Sequence, residues 1–161
     1  MKYLPIGLDV RDRPCLVVGG GEVGTRKVLT LLRAGARVTL VSPEATPTLR
    51  EKEAGGELLW IRESFREDHL DGAFLAVAAT DDEGLNSSLV EAAGRLRILV
   101  CDASSAERSQ VIFGALHEGE EVTVAVFTDG RDPSLARKTR DRIRDCIKDP
   151  NRADPHRPRK P

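Results

Sequence analysis

Six residues near the amino terminus, Gly19-Gly-Gly21-Glu-Val-Gly24, carry the G-x-G-x-x-G spacing. Placed after a strand and at the start of a helix, that spacing suits the pyrophosphate of a dinucleotide. Gly19 allows the tight turn, Gly21 lets the phosphates approach the backbone, and Gly24 lets the helix pack close to the strand. The free N–H groups of Glu22, Val23 and Gly24 then face the anion, helped by the helix dipole. A glycine-rich turn with no ligand is the structural alternative. At the end of the second strand, where such folds carry an acid for the adenosine ribose, the chain reads Val41-Ser42-Pro43, with Glu44 just beyond. Glu44 is either the ribose ligand or a solvated loop acid. No arginine follows that strand immediately to meet a ribose phosphate, which favours NAD over NADP.

The elements around this turn follow an alternating order. Cys15 to Val18 is an apolar run bounded by Pro14 and Gly19, as expected of a strand buried on both faces. Val23 to Ala34 carries an apolar helical face, with Gly35 placed as its C-terminal glycine. Further strands are expected at Val38–Val41, Leu58–Ile61, Phe74–Ala78 and Ile98–Cys101, with a helix over Asp81–Arg95. Thr80 and Asp81 can cap that helix. The fold class is therefore α/β, a Rossmann-like parallel sheet with crossover helices. After residue 113 the pattern changes to a small α+β segment: strands at Val111–Phe113 and Val122–Phe127, joined by a polar turn over His117–Glu121, then a helix from Asp132-Pro133 to about Ile147. The expected organisation is a dinucleotide-binding domain over 1–113, a dimerisation and substrate segment over 114–148, and a disordered Pro/Arg-rich tail over 149–161. The segment over 114–148 has too few apolar residues for a core of its own, which calls for packing against the first domain or a second copy.

Composition excludes several classes. With 25 Lys+Arg against 26 Asp+Glu, the net charge of -1 argues against nucleic acid as a partner. No stretch approaches the ~20 apolar residues of a membrane helix, and charged residues fill the position of a signal-peptide core. A cytoplasmic protein without membrane attachment is expected. Three cysteines with no C-x-x-C read as reduced thiols, those at 15 and 101 buried. His69, His117 and His156 are too dispersed for a metal site and are expected at the surface, so no metal ligands are assigned.

The motifs GGGEVGTRK, LLRAGARVTLVSPE, AVAATDDEGLN and DPSLAR, in register from Leu4 to about Arg144, resemble the precorrin-2 dehydrogenase / sirohydrochlorin ferrochelatase family, the front module of siroheme synthase. The resemblance implies NAD-dependent oxidation of precorrin-2 to sirohydrochlorin, often with iron insertion into the same macrocycle, by a homodimer. It places Gly19, Gly21, Glu22, Val23 and Gly24 at the pyrophosphate and Pro43 with Glu44 at the ribose. Thr80 and Asp81 match the family's A-T-D-D turn on the crevice side. The family's acid-base aspartate aligns with Ser104, in Cys101-Asp102-Ala103-Ser104. Loss of that carboxylate slows a dehydrogenation without abolishing it, whereas metal insertion must shed pyrrole protons and suffers more. Asp102, two residues earlier on an extended segment, is about 6.6 Å away on the same face and is a candidate replacement. Thr128 keeps a hydroxyl where the family has a serine, and Arg108, Arg131, Arg137 and Lys138 are candidates for the substrate's carboxylates, each with a solvated helix face as the bland alternative. The reading is a monofunctional dehydrogenase served by a separate downstream chelatase. Its rivals are a bifunctional enzyme using Asp102 and a non-catalytic NAD- or tetrapyrrole-binding module.

Overall fold

The computed structural model describes residues 2–148. These fall into two compact units, Ile6–Ile112 and the described parts of Met1–Pro5 with Phe113–Pro161. The second grouping takes in the first few residues, which the expected organisation places in the domain over 1–113. The tail over 149–161, expected to be disordered, lies outside the described residues.

The larger unit is built from β1 (Pro14–Val18), α1 (Glu22–Arg33), β2 (Arg37–Val41), α2 (Pro47–Ala54), β3 (Leu58–Ile61), β4 (Leu75–Ala78), α3 (Glu83–Arg95) and β5 (Leu99–Asp102). Its five strands are all parallel, in the order β3-β2-β1-β4-β5. The α/β, Rossmann-like class is thus observed. The chain moves outward from β1 to β2 and β3, then returns to the other side for β4 and β5. This reversal opens a crevice at the carboxyl ends of β1 and β4.

Strand composition follows from burial. Val17, Leu40 and Val77 on the three central strands are fully buried, as expected where helices cover both faces. Helix α1 stops because Gly35 takes φ +80 and completes a Schellman motif: its N–H donates to Leu32 O at 2.9 Å, and Ala36 N–H donates to Leu31 O at 3.0 Å.

Several local expectations need correction. The cap of α3 is Asp82, whose Oδ1 accepts Leu85 N–H at 3.0 Å, and neither Thr80 nor Asp81. Thr80 instead donates to Asp82 O at 3.1 Å and meets Asn86 Oδ1 at 2.7 Å, so its hydroxyl closes the turn before the helix. Helix α2 is not among the elements expected from sequence, although Thr46-Pro47 is a regular start, with Pro at the first helical position and Thr as N-cap. His69 is not a surface residue: its ring is largely buried, with Nδ1 accepting Arg66 N–H at 3.0 Å and Nε2 2.8 Å from Glu63.

In the smaller unit β6 (Ala115–Glu118) pairs antiparallel with β7 (Thr123–Val126), followed by α4 (Pro133–Lys148). The strand expected at Val111–Phe113 starts instead at Ala115. Residues Gln110 and Val111 both donate to Val100 O, at 2.9 and 3.0 Å, which leaves them bound to the end of the parallel sheet. His117 consequently sits within β6 and not in the turn. Asp132 caps α4 by accepting Leu135 N–H at 2.8 Å, and Arg140 ties the helix to the sheet through Leu116 O at 2.9 Å. Among the described residues no helix is long and apolar enough to cross a membrane.

The thiols give a direct check on the packing. Cys15 and Cys101 are buried and Cys146 is exposed, and burial pushes the Cys15 thiol up to about 11. Under native conditions at pH 8 one thiol per chain should react promptly with Ellman's reagent, and all three after denaturation. Prompt reaction of two or more native thiols would contradict the core described here.

Candidate functional site

The glycine turn is shaped by two close backbone approaches. Gly19 has φ +112, and a Cβ there would strike the carbonyl of Ala79 after β4. A Cβ on Gly24 would strike the carbonyl oxygen of Gly19, so the first turn of α1 lies directly on the end of β1. Gly21 differs, because its φ is an ordinary -77 and nothing lies within 4 Å of a Cβ built on it. No contact within the chain demands a glycine at 21, and the space in front of it is open.

That space lies at the N-terminus of α1. Gly21 is the N-cap and makes no side-chain cap hydrogen bond, and the first intrahelical bond runs from Thr25 N–H to Gly21 O at 2.8 Å. The N–H groups of Glu22, Val23 and Gly24 precede that bond and are available to an anion. The residues present therefore fit a dinucleotide pyrophosphate: a positive helix end, a bare backbone approach and no side chain in between. Gly20 was not singled out from sequence, yet a Cβ on it would collide with the carbonyl oxygen of Glu44. This contact brings the loop after β2 against the turn. Pro43 and Glu44 are both exposed there.

On the far side of the crevice, Ala79 N–H donates to Val18 O at 2.8 Å, bringing the Thr80-Asp81 turn beside Gly19. Asp81 is exposed. Next to β4, strand β5 ends at Asp102, paired in register with Ala78.

Asp102 is the most constrained ionisable group in this region. Its carboxylate has 0% exposure and forms an ion pair with Arg108 Nε at 2.7 Å through Oδ2. Its Oδ1 accepts Ser104 N–H at 2.9 Å and the Ser104 hydroxyl at 2.6 Å. Arg108 Nη1 reaches Glu83 Oε1 at 3.0 Å and its Nη2 reaches Ser104 Oγ at 3.3 Å. Ser109 staples the same turn, with Oγ accepting Asp102 N–H at 2.8 Å. Burial alone would raise the Asp102 pKa, and the bonds from Ser104 and Arg108 outweigh it, so the carboxyl sits below the ordinary aspartate range. A low pKa and two occupied oxygens make a poor general base. Ser104 is exposed, and Arg108 is compensated by two carboxylates.

The remaining candidates are in the smaller unit. Thr128 exchanges bonds with Asp132, its hydroxyl donating to Asp132 O at 2.9 Å and accepting Asp132 N–H at 3.2 Å, which shapes the turn into α4. Arg131, just before that helix, and Arg137 and Lys138, in its first half, are exposed. Among the described residues no group of three or more His, Cys, Asp or Glu is placed to hold a metal ion.

Comparison with known proteins fits this geometry. Residues 6–115 match a family model described as NAD(P)-binding. The solved structure of "SirC, precorrin-2 dehydrogenase" superposes with a TM-score of 0.77 at 30% identity, covering 89% of this chain and 70% of that one. Siroheme synthase 1 of Serratia proteamaculans is 40% identical over 143 residues, 89% of this chain and 30% of its own length. The siroheme synthase of Nitrosospira multiformis is 43% identical over 151 residues, 91% of this chain and 32% of its own. This chain spans about a third of the length of these curated relatives.

Two outcomes follow from the site. Gly21→Ala should leave the thermal midpoint within a few degrees of wild type yet weaken NAD binding by about tenfold or more, whereas Gly24→Ala should cost roughly 3 kcal/mol of stability through overpacking. Equal effects of the two on stability, read by calorimetry, would refute the distinction. Asp102→Asn should cost about 2 kcal/mol at pH 7. Because the folded pKa is depressed, that contribution is complete above about pH 5 and is lost as pH falls through 4 towards the folded value. Urea midpoints of the two proteins should therefore converge on acidification, and a constant gap would overturn the assignment.

Proposed function

Because the chain belongs to the NAD(P)-binding precorrin-2 dehydrogenase family, we propose that it is an oxidoreductase that converts precorrin-2 to sirohydrochlorin with NAD as hydride acceptor, in siroheme or related tetrapyrrole synthesis. The observation that carries the reading is the SirC superposition across nine-tenths of the chain, with the dinucleotide turn intact inside it. The reaction removes a hydride and a proton from the macrocycle; NAD, when bound, supplies the hydride acceptor. The chain's own part is to hold the pyrophosphate at Gly19–Gly24, to offer Glu44 at the ribose, and to frame the crevice with Thr80, Asp81 and Ser104.

Monofunctionality rests on Asp102. The resemblance puts the family's acid-base carboxylate at 104, where this chain has serine, and Asp102 is the nearest replacement. Its shielded carboxylate supports a positioning role, holding Ser104 and Arg108 in place, over proton abstraction. Dehydrogenation tolerates this, since general acid-base help is worth only about 10²- to 10⁴-fold. Metal insertion, which needs a base for the pyrrole protons, falls to a separate chelatase that takes up the product. Arg131, Arg137 and Lys138 are the cations proposed for the substrate's carboxylates, with Arg108 and Thr128 in supporting positions.

A homodimer completes the proposal. A two-stranded sheet with one helix is marginal alone, and α4 leaves Leu135 and Ile147 at 52% and 41% exposure. A cytoplasmic location agrees with three free thiols and no disulfide.

The test is an anaerobic assay with enzymatically generated precorrin-2 and NAD, following NADH and sirohydrochlorin together, then Co²⁺ added to purified sirohydrochlorin. Equimolar NADH and sirohydrochlorin are expected, with no acceleration of metal insertion over the protein-free rate. Asp102→Asn, assayed well below its unfolding midpoint, should keep kcat within about tenfold, because a positioning residue acts through its neighbours. Loss of two or more decades would restore Asp102 as the acid-base residue. Tight macrocycle binding with no NADH would leave a binding module.

A further inference from the structure

We infer that Ser42 and Trp60 are positioning residues for the cofactor turn, coupling the edge strand β3 to the phosphate cradle and setting the affinity for NAD without contact with the reacting centre. The inference rests on NAD binding at Gly19–Gly24 and goes beyond it by naming what holds that backbone in shape.

At the carboxyl end of β2, where a dinucleotide fold offers an acid to the ribose, Ser42 turns its side chain inward. Its Oγ accepts the N–H of Gly20 at 3.0 Å, in a buried bond between residues 22 apart in sequence. The Ser42 backbone is itself fixed from β3: its N–H donates to Ile61 O at 3.2 Å, and its carbonyl accepts the Trp60 indole N–H at 2.9 Å. An indole nitrogen can only donate, so the carbonyl of Ser42 is a fitting partner for it. The Trp60 ring is in turn held by the Arg62 guanidinium, 4.4 Å from its centroid, and Arg62 is paired with Glu53 at 3.1 Å.

A second route reaches the same glycine from α2. Gly20 O accepts Thr46 N–H at 3.0 Å, and the Thr46 hydroxyl lies 2.8 Å from that of Thr25, which also donates to Gly21 O at 2.9 Å. Gly20 is thus held through both its donor and its acceptor, midway between Gly19 and Gly21. The direction of the free N–H groups at 22–24 follows from that fixed backbone. A cradle ordered on folding need not be ordered again when the cofactor binds, and preorganisation of this kind appears as affinity.

The experiment uses the full chain, titrated with NAD in a calorimeter and assayed with precorrin-2, for Ser42→Ala, Ser42→Thr and Trp60→Phe. Removing the acceptor from a buried N–H should raise the Kd and KM for NAD by about tenfold in Ser42→Ala, and removing the indole donor should do the same in Trp60→Phe. The kcat and the KM for precorrin-2 should stay within about twofold, a split that a merely structural role would not give. Ser42→Thr keeps a hydroxyl and should recover most of the affinity. If Trp60→Phe does not fold, the Ser42 pair decides. Unchanged NAD affinity in Ser42→Ala, or parallel losses for NAD, precorrin-2 and kcat, overturns the inference while leaving the dinucleotide reading in place. Wild type that binds no NAD overturns both.

Discussion

The larger unit depends on a steric constraint at one point: the first turn of α1 rests on the carbonyl of Gly19, directly after β1, with no room for a side chain between them. Gly24 meets Gly19 there, Gly19 meets the backbone after β4, and Gly20 meets the backbone after β2. Three loops from three adjacent strands converge on one glycine-rich stretch. Because parallel strands all end on the same side of the sheet, a turn packed this closely at the central strand ties the whole carboxyl edge together. The crevice is therefore a consequence of strand order, while its capacity to hold an anion is a consequence of glycine.

Around that steric centre the polar groups divide into two sets. One set orders backbone: Ser42, Thr46 and Thr25 against the glycine turn, and Thr80 with Asn86 before α3. The other set gathers charge at the end of β5. Asp102 could not be buried as an anion without compensation, since desolvation of an isolated carboxylate costs several kcal/mol. Three donors to its two oxygens supply that compensation, and Glu83 at the start of α3 draws Arg108 into the arrangement. The exposed Ser104 hydroxyl is accordingly oriented by a charge that solvent does not reach.

Much of this was legible in the sequence wherever one residue type had one physical use. The strand at Leu58–Ile61 has the expected bounds, Gly35 has the left-handed backbone expected of a helix stop, and the dinucleotide turn follows β1 as its spacing requires. The misreadings arise where several neighbours offered the same chemistry. Thr80, Asp81 and Asp82 can all cap a helix, and register alone selects Asp82. The apolar Val111–Phe113 looked like a strand, but the chain is still bonded to Val100 at Gln110 and Val111, and regular pairing begins only at Ala115. Gly20, Ser42 and Trp60 carried no local signal, since their bond partners lie roughly 20 residues away and only the sheet order brings them together.

Under the proposed function, the arrangement at β5 also separates two reactions that share one macrocycle. Hydride transfer depends on geometry, and geometry is what a rigid glycine turn and a bonded crevice edge supply. Removing a mobile carboxylate costs such a step at most about 3 to 5 kcal/mol of assistance. Metal insertion needs an accessible base to take pyrrole protons as the cation sheds water, and a serine hydroxyl is neither a competent base nor a strong iron ligand. Asp102 could serve only by leaving Arg108 and Ser104, exposing a charge whose pKa those same bonds hold down. The interactions that secure the end of β5 therefore oppose the chemistry that a second activity would demand of it.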